Sequence, residues 1–476
     1  MRLGVIGTGY VGLVAGAGFA DFGNDVTCLD IDASRIAALK RGEVPIHEPG
    51  LPELIADNVR ARRLRFTTDY DEAVADADVV LLCVGTPPAA DGSADLSQVL
   101  FAAASVGRSL RSDFTVVVNK STVPVGSAER VRDVIAAASD RPFAVMSNPE
   151  FLKEGSAVED FLRPMRVVVG VGPGSGPARG ALGTVAAVDE RARVVARRLY
   201  AAVVRTSDRM LVVDARSAEL IKYASNAYLA MRVSFINDIA RLCDRIGADV
   251  ELVRRGMGMD TRIGPSFLFP GVGYGGSCFP KDTRALLSIA RSVGLDLPLV
   301  EATERINAQQ KQLLFGKLCA HFGVRPEPEP EREASQAQPL AGKTIAVWGL
   351  SFKPETDDVR EAPALVLIEQ LLDAGAKVQV SDPVANQRAA EALKAARPGL
   401  HQRVSFFDDA YEAAAGADAL CLCTEWRAFR QPDMRRVAKL LRGGAVFDGR
   451  NIWDGDQLRE LGLKYECVGR PHREGP

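Results

Sequence analysis

Gly271-Val272-Gly273-Tyr274-Gly275-Gly276-Ser277-Cys278-Phe279-Pro280-Lys281-Asp282 is the stretch of this 476-residue chain best suited to chemistry. Glycines this dense let a backbone approach a ligand closely and take positive φ. Cys278 closes the loop, just before a helix expected to begin near Asp282 or Thr283, with Lys281 three residues on and Asp282 four. A helix N-terminus and a nearby cation both lower a thiol pKa and raise its thiolate fraction. The other cysteines have no such surroundings. A lone cysteine is by default inert filler; one in this loop, flanked by charge, reads as a nucleophile.

A second constellation opens the chain. Gly7-Thr8-Gly9-Tyr10-Val11-Gly12 has the form G-x-G-x-x-G, after an apolar strand at 2–6 and before a helix expected over 11–22. In that setting Gly7 and Gly9 let the chain turn tightly against a pyrophosphate. Gly12 allows close helix–sheet contact, and the helix N-terminus supplies amides and partial positive charge. A second strand, 26–30, ends on Asp30, 23 positions after Gly7. A carboxylate there accepts from a ribose 2′-hydroxyl and repels a 2′-phosphate, which favours NAD over NADP; Arg35 nearby argues the other way.

These groups need a framework. Residues 77–84 and 115–118 are continuous apolar runs, as buried parallel strands should be. Alternating with helices, they imply a doubly wound α/β sheet. Helical stretches follow at 217–247 and 283–319, on either side of the aperiodic loop 264–280. Residues 325–340 are acidic and proline-rich, a linker or surface loop that buries nothing. Beyond it the opening pattern recurs in order: 343–349 echoes 2–7, 375–382 echoes 23–30, and 417–424 echoes 77–84. The expected architecture is α/β, two Rossmann-like doubly wound domains joined by a helical central domain. The divisions are a dinucleotide-binding domain over 1–205, the helical domain over 206–322, the linker over 323–341 and the second Rossmann-like domain over 342–476. Gly349-Leu350-Ser351-Phe352-Lys353-Pro354 lacks the glycine fingerprint, so no second dinucleotide is expected there.

Lys and Arg number 59 and Asp and Glu 61, a formal net charge of -2. That balance leaves no electrostatic footprint for nucleic acid or an anionic membrane. The eight cysteines are scattered, without CxxC, and read as a reducing compartment. No metal site is expected. Cys421 and Cys423 are expected on opposite sides of one strand. The N-terminus enters a strand directly, and no run approaches the ~18 apolar residues of a membrane span, which points to the cytoplasm.

With further segments, these residues resemble the UDP-glucose/GDP-mannose dehydrogenase family in its bacterial type. The resemblance runs through nearly the whole chain in order. It includes the N-terminal fingerprint, Val84-Gly85-Thr86-Pro87, Lys120-Ser121-Thr122-Val123-Pro124, and Asn148-Pro149-Glu150-Phe151-Leu152-Lys153-Glu154-Gly155. Further on it includes Glu219-Leu220-Ile221-Lys222-Tyr223-Ala224-Ser225-Asn226, the Cys278 loop, Phe352-Lys353-Pro354 and Phe447-Asp448-Gly449-Arg450-Asn451. It implies a four-electron oxidation of a nucleotide sugar at its 6-hydroxymethyl group with two NAD. The aldehyde is captured by Cys278 as a thiohemiacetal, oxidised to a thioester and hydrolysed to the acid. UDP-glucose is the expected substrate and UDP-glucuronate, a polysaccharide precursor, the product; GDP-mannose or a UDP-N-acetylhexosamine is the alternative. A 3-hydroxyacyl or 6-phosphogluconate type of dehydrogenase would leave the Cys278 loop unexplained. A catalytically dead homologue would lack Cys278, Lys222 or Asp282, and all are present.

By the same resemblance Lys222 and Asn226, four apart and so on one helix face, stabilise the developing oxyanion. Glu150 is the acid/base, and Thr122 and Asp282 position the hydrolytic water. Tyr10, Val11, Val84, Gly85, Thr86, Pro87, Ser121, Thr122, Glu154, Lys281 and Arg360 join the fingerprint, Asp30 and Arg35 around the cofactor. Glu150, Phe151, Leu152, Lys153, Glu154, Lys222 and Asn226 line the sugar site. Phe267, Leu268, Phe269, Pro270, Gly271 and Gly275 approach the uridine and sugar, and Phe352, Lys353 and Arg450 meet the substrate from the C-terminal domain. Arg262 reaches the neighbouring subunit of a homodimer formed through the central helices. Met165 departs from the family, where many relatives carry Asp.

Overall fold

In a computed structural model, which describes residues 1–172, 185–204, 209–325 and 338–470, the apolar runs become the inner strands of two sheets. Two units divide the chain, Met1–Ser225 with Arg284–Leu295, and Asn226–Thr283 with Asp296–Pro476. The division falls inside two helices, Ala215–Ile246 and Phe279–Ser292.

Among the described residues the first unit's sheet has eight strands: β1 (Arg2–Ile6), β2 (Asp25–Leu29), β3 (Leu64–Thr67), β4 (Val79–Leu82), β5 (Thr115–Asn119), β6 (Phe143–Ser147), β7 (Val167–Gly170) and β8 (Met210–Val213). Their order is β3-β2-β1-β4-β5-β6-β7-β8, parallel except where β6 and β7 meet antiparallel at Ser147 and Gly170. The inner strands are built mainly of buried apolar residues because both faces are covered. Val116 and Val118 of β5 enter a core with Leu13 and Phe19, while Val117 enters another with Val99 and Ile135. The boundary expected at 205 cuts this sheet. β8 lies beyond it, and the first unit runs on to Ser225. Four residues, none of them fully buried, are too few for a periodicity to announce that strand.

The second unit's sheet has six described strands: β9 (Thr344–Trp348), β10 (Lys377–Ser381), β11 (Val404–Phe406), β12 (Ala419–Leu422), β13 (Ala445–Asp448) and β14 (Lys464–Cys467). All pair in parallel, in the order β11-β10-β9-β12-β13-β14. The repeat read from the sequence extends to single hydrogen bonds. Gly7 N donates to Leu29 O at 2.7 Å, and Gly349 N to Ser381 O at 2.9 Å. Thr8 N donates to Asp30 Oδ2 at 2.8 Å, and Leu350 N to Asp382 Oδ2 at 2.7 Å. Arg2 N donates to Asp78 Oδ2, and Thr344 N to Asp418 Oδ2, both at 2.8 Å.

Several expectations are corrected. The helix after Cys278 begins at Phe279, not near Asp282, because Pro280 in its first turn needs no intrahelical donor. The stretch 283–319 is divided among three helices, Phe279–Ser292, Pro298–Gln310 and Leu313–His321. Cys421 and Cys423 lie in one core cluster, since positions two apart on a strand share a face. Residues 326–337 of the expected linker lie outside the described residues. Its end does bury a side chain: Leu340 is fully buried in the second unit's core, and its amide donates to Ala374 O at 2.8 Å. No helix among the described residues is long and apolar enough to cross a membrane. Leu340→Ala should lower the unfolding free energy by about 2–5 kcal/mol in urea titration, the loss expected of a core leucine. A change under about 0.5 kcal/mol would return Leu340 to the surface.

Candidate functional site

In the first unit, Gly7 stands at φ +99°, where an L side chain is strained, and a Cβ at Gly12 would lie 1.9 Å from Gly7 O. The turn and the helix contact therefore require glycine at both places. Helix Tyr10–Asp21 starts with no described side-chain cap and no acid in its first turn. Its first amides are open to an anion, and a Cβ at Gly9 would meet no described atom within 4 Å. Asp30, nearly buried, accepts from Thr8 N and Oγ1 and from Asp32 N, with the Arg35 guanidinium at 3.5 Å. Arg35 leans on Asp30, so the cation that argued for a 2′-phosphate is already facing a carboxylate. These residues fit a dinucleotide: open amides for the pyrophosphate and a held carboxylate for the ribose.

The turns after β4 and β5 are tied together. Ser121 Oγ donates to Val84 O at 2.7 Å, and Thr86 Oγ1 to Thr122 O at 2.9 Å. Val84, Thr86, Ser121 and Thr122 are thereby gathered, with Gly85 and Pro87 exposed on the same turn.

β6 runs into Asn148-Pro149-Glu150. Lys222 Nζ donates to Glu150 Oε1 at 2.9 Å, both side chains being buried, and Leu152 N donates to Oε2 at 2.6 Å. Burial pushes the Glu150 carboxyl up, but Lys222, the Leu152 amide and Lys120 together hold it below its ordinary value. The Arg166 guanidinium lies 4.0 Å from the Phe151 ring centroid and the Lys222 ammonium 5.5 Å. Leu152 packs on the first core, and Lys153 pairs with Asp160 at 2.9 Å. Met165 is exposed.

Three buried charged groups of this unit carry no role in the sequence reading. Lys120 donates to Asn148 Oδ1 at 3.1 Å and lies 3.4 Å from the Tyr200 hydroxyl; burial lowers its ammonium to about 8. Glu219 accepts from Gly126 N, Ala128 N and Ser147 Oγ, and burial pushes it up to about 7. Glu48 accepts from Gly155 N and Ala157 N. Lys120 and Glu219 stand inside quoted motifs, but their partners are distant in sequence. Glu48 offered no signal beyond its place in a His-Glu-Pro-Gly turn.

In the second unit, Cys278 directly precedes helix Phe279–Ser292, and its carbonyl accepts from Asp282 N at 2.8 Å. The other seven cysteines are buried, and burial raises every one of their thiols, Cys467 to about 11 and Cys83 and Cys423 to about 12. Buried Asp282 accepts from Asn226 Nδ2 and from Lys281 Nζ, each at 2.6 Å. Lys281, expected beside the thiol, is bound to this carboxylate.

Side-chain donors and acceptors on helices hold the glycine-rich loop. Arg232 donates to Ile263 O, Gly264 O and Ser266 O; Asn237 Oδ1 accepts from Gly271 N; Gln310 Nε2 donates to Gly271 O; Asn307 bonds both backbone groups of Tyr274. None of the four was singled out in the sequence, although polar residues on otherwise apolar helix faces were the available signal. Gly276, at φ +82°, sits where a Cβ would lie 2.8 Å from the Phe352 ring, and its amide donates to Arg360 O at 2.8 Å. A Cβ at Gly275 would lie 2.4 Å from Glu361 O. Arg450 Nε donates to Cys423 O at 2.6 Å and Nη2 to Phe352 O at 3.3 Å, with Gly271 packed against the guanidinium. The Lys353 ammonium is 5.4 Å from the Phe352 ring. Phe267 takes a left-handed φ of +61°, Pro270 is buried, and Phe269 is exposed under the Arg254 guanidinium. Leu268 turns into a core with Ile236 and Val250. Arg360 pairs with Asp358, and exposed Arg262 pairs with Asp260. Among the described residues no cluster of three or more His, Cys, Asp or Glu could hold a metal.

Residues 1–177 match the UDP-glucose/GDP-mannose dehydrogenase family, NAD binding domain; 216–309 match its central domain and 346–455 its UDP binding domain. The chain is 48% identical over 480 residues to the UDP-glucose 6-dehydrogenase of Pseudomonas aeruginosa, covering 99% of this chain and 98% of the relative. It is 45% identical over 473 residues to that of Rhizobium meliloti, covering 99% and 100%. The structure of a UDP-glucose dehydrogenase from the hyperthermophilic archaeon Pyrobaculum islandicum superposes with a TM-score of 0.84 at 37% identity, covering 98% of this chain and 96% of that one.

The Glu150–Lys222 pair makes a prediction of its own. Lys222→Met leaves a buried carboxylate unpaired and should cost about 3–5 kcal/mol at neutral pH in denaturant titration. In the wild type the depressed Glu150 pKa stabilises the fold above the ordinary carboxylate value of 4.5, and this is lost as pH falls through the folded pKa. The gap between the proteins should therefore shrink toward pH 4, and Glu150→Gln added to Lys222→Met should recover much of it. A gap that stays constant with pH would mean that the pair is not the cause.

Proposed function

The chain belongs to the UDP-glucose/GDP-mannose dehydrogenase family, and from that premise we propose that it oxidises the C6 hydroxymethyl group of UDP-glucose to a carboxylate through a thioester on Cys278. NAD is the cofactor; held by the Gly7–Gly12 turn and Asp30, it would supply the hydride acceptor for each of the two oxidations. The observation that carries the covalent route is Cys278 itself. It alone among the described cysteines escapes burial, it stands at a helix start, and the adjoining helical turn presents Asp282 bonded to Asn226.

In the first oxidation the C6 hydroxyl gives up its proton and C6 its hydride. Glu150, held ionised by Lys222, is the group that takes the proton, and the Lys222 ammonium stabilises the alkoxide that develops. The Cys278 thiolate then adds to the aldehyde carbon. The thiohemiacetal loses a second hydride and its hydroxyl proton to become the thioester. Water, positioned by Asp282 and Thr122, cleaves the C–S bond and returns the thiol. In the first unit the segment 150–154 faces the sugar; in the second, Phe267–Gly271, Gly275, Phe352, Lys353 and Arg450 hold the nucleotide sugar. Arg360 and Lys281 serve the cofactor.

A homodimer through helix Ala215–Ile246 is part of the proposal. Tyr228, Phe235, Leu242 and Ile246 are exposed at steps of seven, seven and four, an apolar stripe suited to a second copy, with Arg262 exposed to reach it. A cytoplasmic location and the division into NAD-binding, central and UDP-sugar-binding domains complete the reading.

The test is NADH formed per sugar consumed, with UDP-glucose, GDP-mannose and UDP-N-acetylhexosamines supplied in turn. Two NADH per UDP-glucose are expected, and Cys278→Ser should lose turnover by about 10³-fold or more. One NADH per sugar, or an unimpaired variant, would sink the thioester. Turnover confined to another sugar would keep the mechanism and replace the substrate.

A further inference from the structure

One buried carboxylate of the first unit takes no part in the proposed reaction. Glu48 lies in the His47-Glu48-Pro49-Gly50 turn between helices Ala33–Lys40 and Leu51–Arg60 and is 3% exposed. A carboxylate so placed must be supplied with donors, and Glu48 has three. Oε1 accepts from Ala157 N at 2.7 Å. Oε2 accepts from Gly155 N at 2.6 Å and from the Tyr10 hydroxyl. The donors come from two places far apart in the chain. Tyr10 lies inside the glycine fingerprint and is the first residue of the helix that it opens. Gly155 directly follows Glu154, and Ala157 opens helix Ala157–Leu162. Burial and the neighbouring Glu48 carboxylate both push the Tyr10 hydroxyl far above its ordinary value, which keeps it a donor.

We infer that Glu48 is a positioning residue that locks the 150–157 segment to the cofactor-binding helix, so that dinucleotide and sugar nucleotide are held by one rigid assembly. The inference rests on the proposed roles of Gly7–Gly12 and of Glu150–Glu154. The chemistry of the three donors explains why a carboxylate stands here. Both oxygens face N–H or O–H groups, so a glutamine would set its own NH2 against a backbone N–H and lose at least one bond. An aspartate is a methylene shorter and would reach only part of the set.

The test compares wild type, Glu48→Gln and Tyr10→Phe by calorimetric titration with NADH and with UDP-glucose separately, alongside the thermal midpoint. Glu48→Gln should raise the Kd for both ligands, each by about tenfold, as the loss of a bond to a buried charge implies. Tyr10→Phe removes one donor to Glu48 and the hydroxyl that also accepts from Gly155 N at 3.0 Å, and it leaves both amide bonds to Glu48, so a joint rise of about threefold is expected. Its effect on UDP-glucose is the informative one, because the hydroxyl it removes is shared between Glu48 and Gly155 N and belongs to the same lock. A folded Glu48→Gln with either Kd unchanged would make Glu48 a packing residue and overturn the inference. If Glu48→Gln fails to fold, Tyr10→Phe decides on the same criterion. The titrations need no turnover. A wild type that binds both ligands without oxidising the sugar would refute the proposed function and leave this comparison intact, and a wild type that binds neither would refute both.

Discussion

A parallel strand that passes straight into a helix leaves backbone amides at its end that its neighbours cannot all satisfy, and the rest of this structure depends on how that constraint is met. In both units an aspartate meets it. Asp30 and Asp382 close the second strand of their sheets and accept from the turn after the first; Asp78 and Asp418 accept from the first strand's opening amide. Once these carboxylates hold the crossover in place, the strand ends are fixed in register, and the residues that follow them stand where chemistry can use them.

The same solution leads to different functions. In the first unit Gly9 and Gly12 leave the turn open, and Asp30 stands beside it. In the second, Ser351 and Pro354 occupy the corresponding stretch. Asp382 there also accepts from the Trp426 indole and from Val384 N and Ala385 N. Both carboxylates are bonded on both oxygens by the protein, so the difference lies in the turn, where Ser351 and Pro354 stand in place of Gly9 and Gly12, in agreement with that unit's match to a UDP binding domain rather than to an NAD binding domain.

Among the described residues the buried charges discussed above all have company. Glu150 has Lys222 and an amide, Asp282 has Lys281 and Asn226, and Glu48 has two amides and a phenol. For Glu150 the company has a direction: Lys222, the Leu152 amide and Lys120 hold its carboxyl below the ordinary value despite burial. The glycine loop before Cys278 is held in the same way, by Arg232, Asn237, Asn307 and Gln310 on helices. A loop without regular structure thereby gains definite geometry from side chains that bond its backbone.

Local spacing was enough to read the doubly wound sheets, the glycine fingerprint with Asp30, the internal repeat and a cysteine standing just before a helix, because each is a matter of neighbours in sequence. A run of valines marks a covered strand, and a glycine turn before a helix marks an anion site. The longer motifs supplied Glu150, Lys222, Asn226 and Asp282 by resemblance. Folding alone decided which of these groups touch. Lys281 bonds Asp282, Leu268 turns inward, Leu340 closes a core at the edge of an acidic linker, and β8 extends the first sheet past its expected boundary. Glu48, more than a hundred residues from its amide partners, was invisible for the same physical reason. Hydrogen bonds and burial act across space, and spacing along the chain records them only when the partners are also close in sequence.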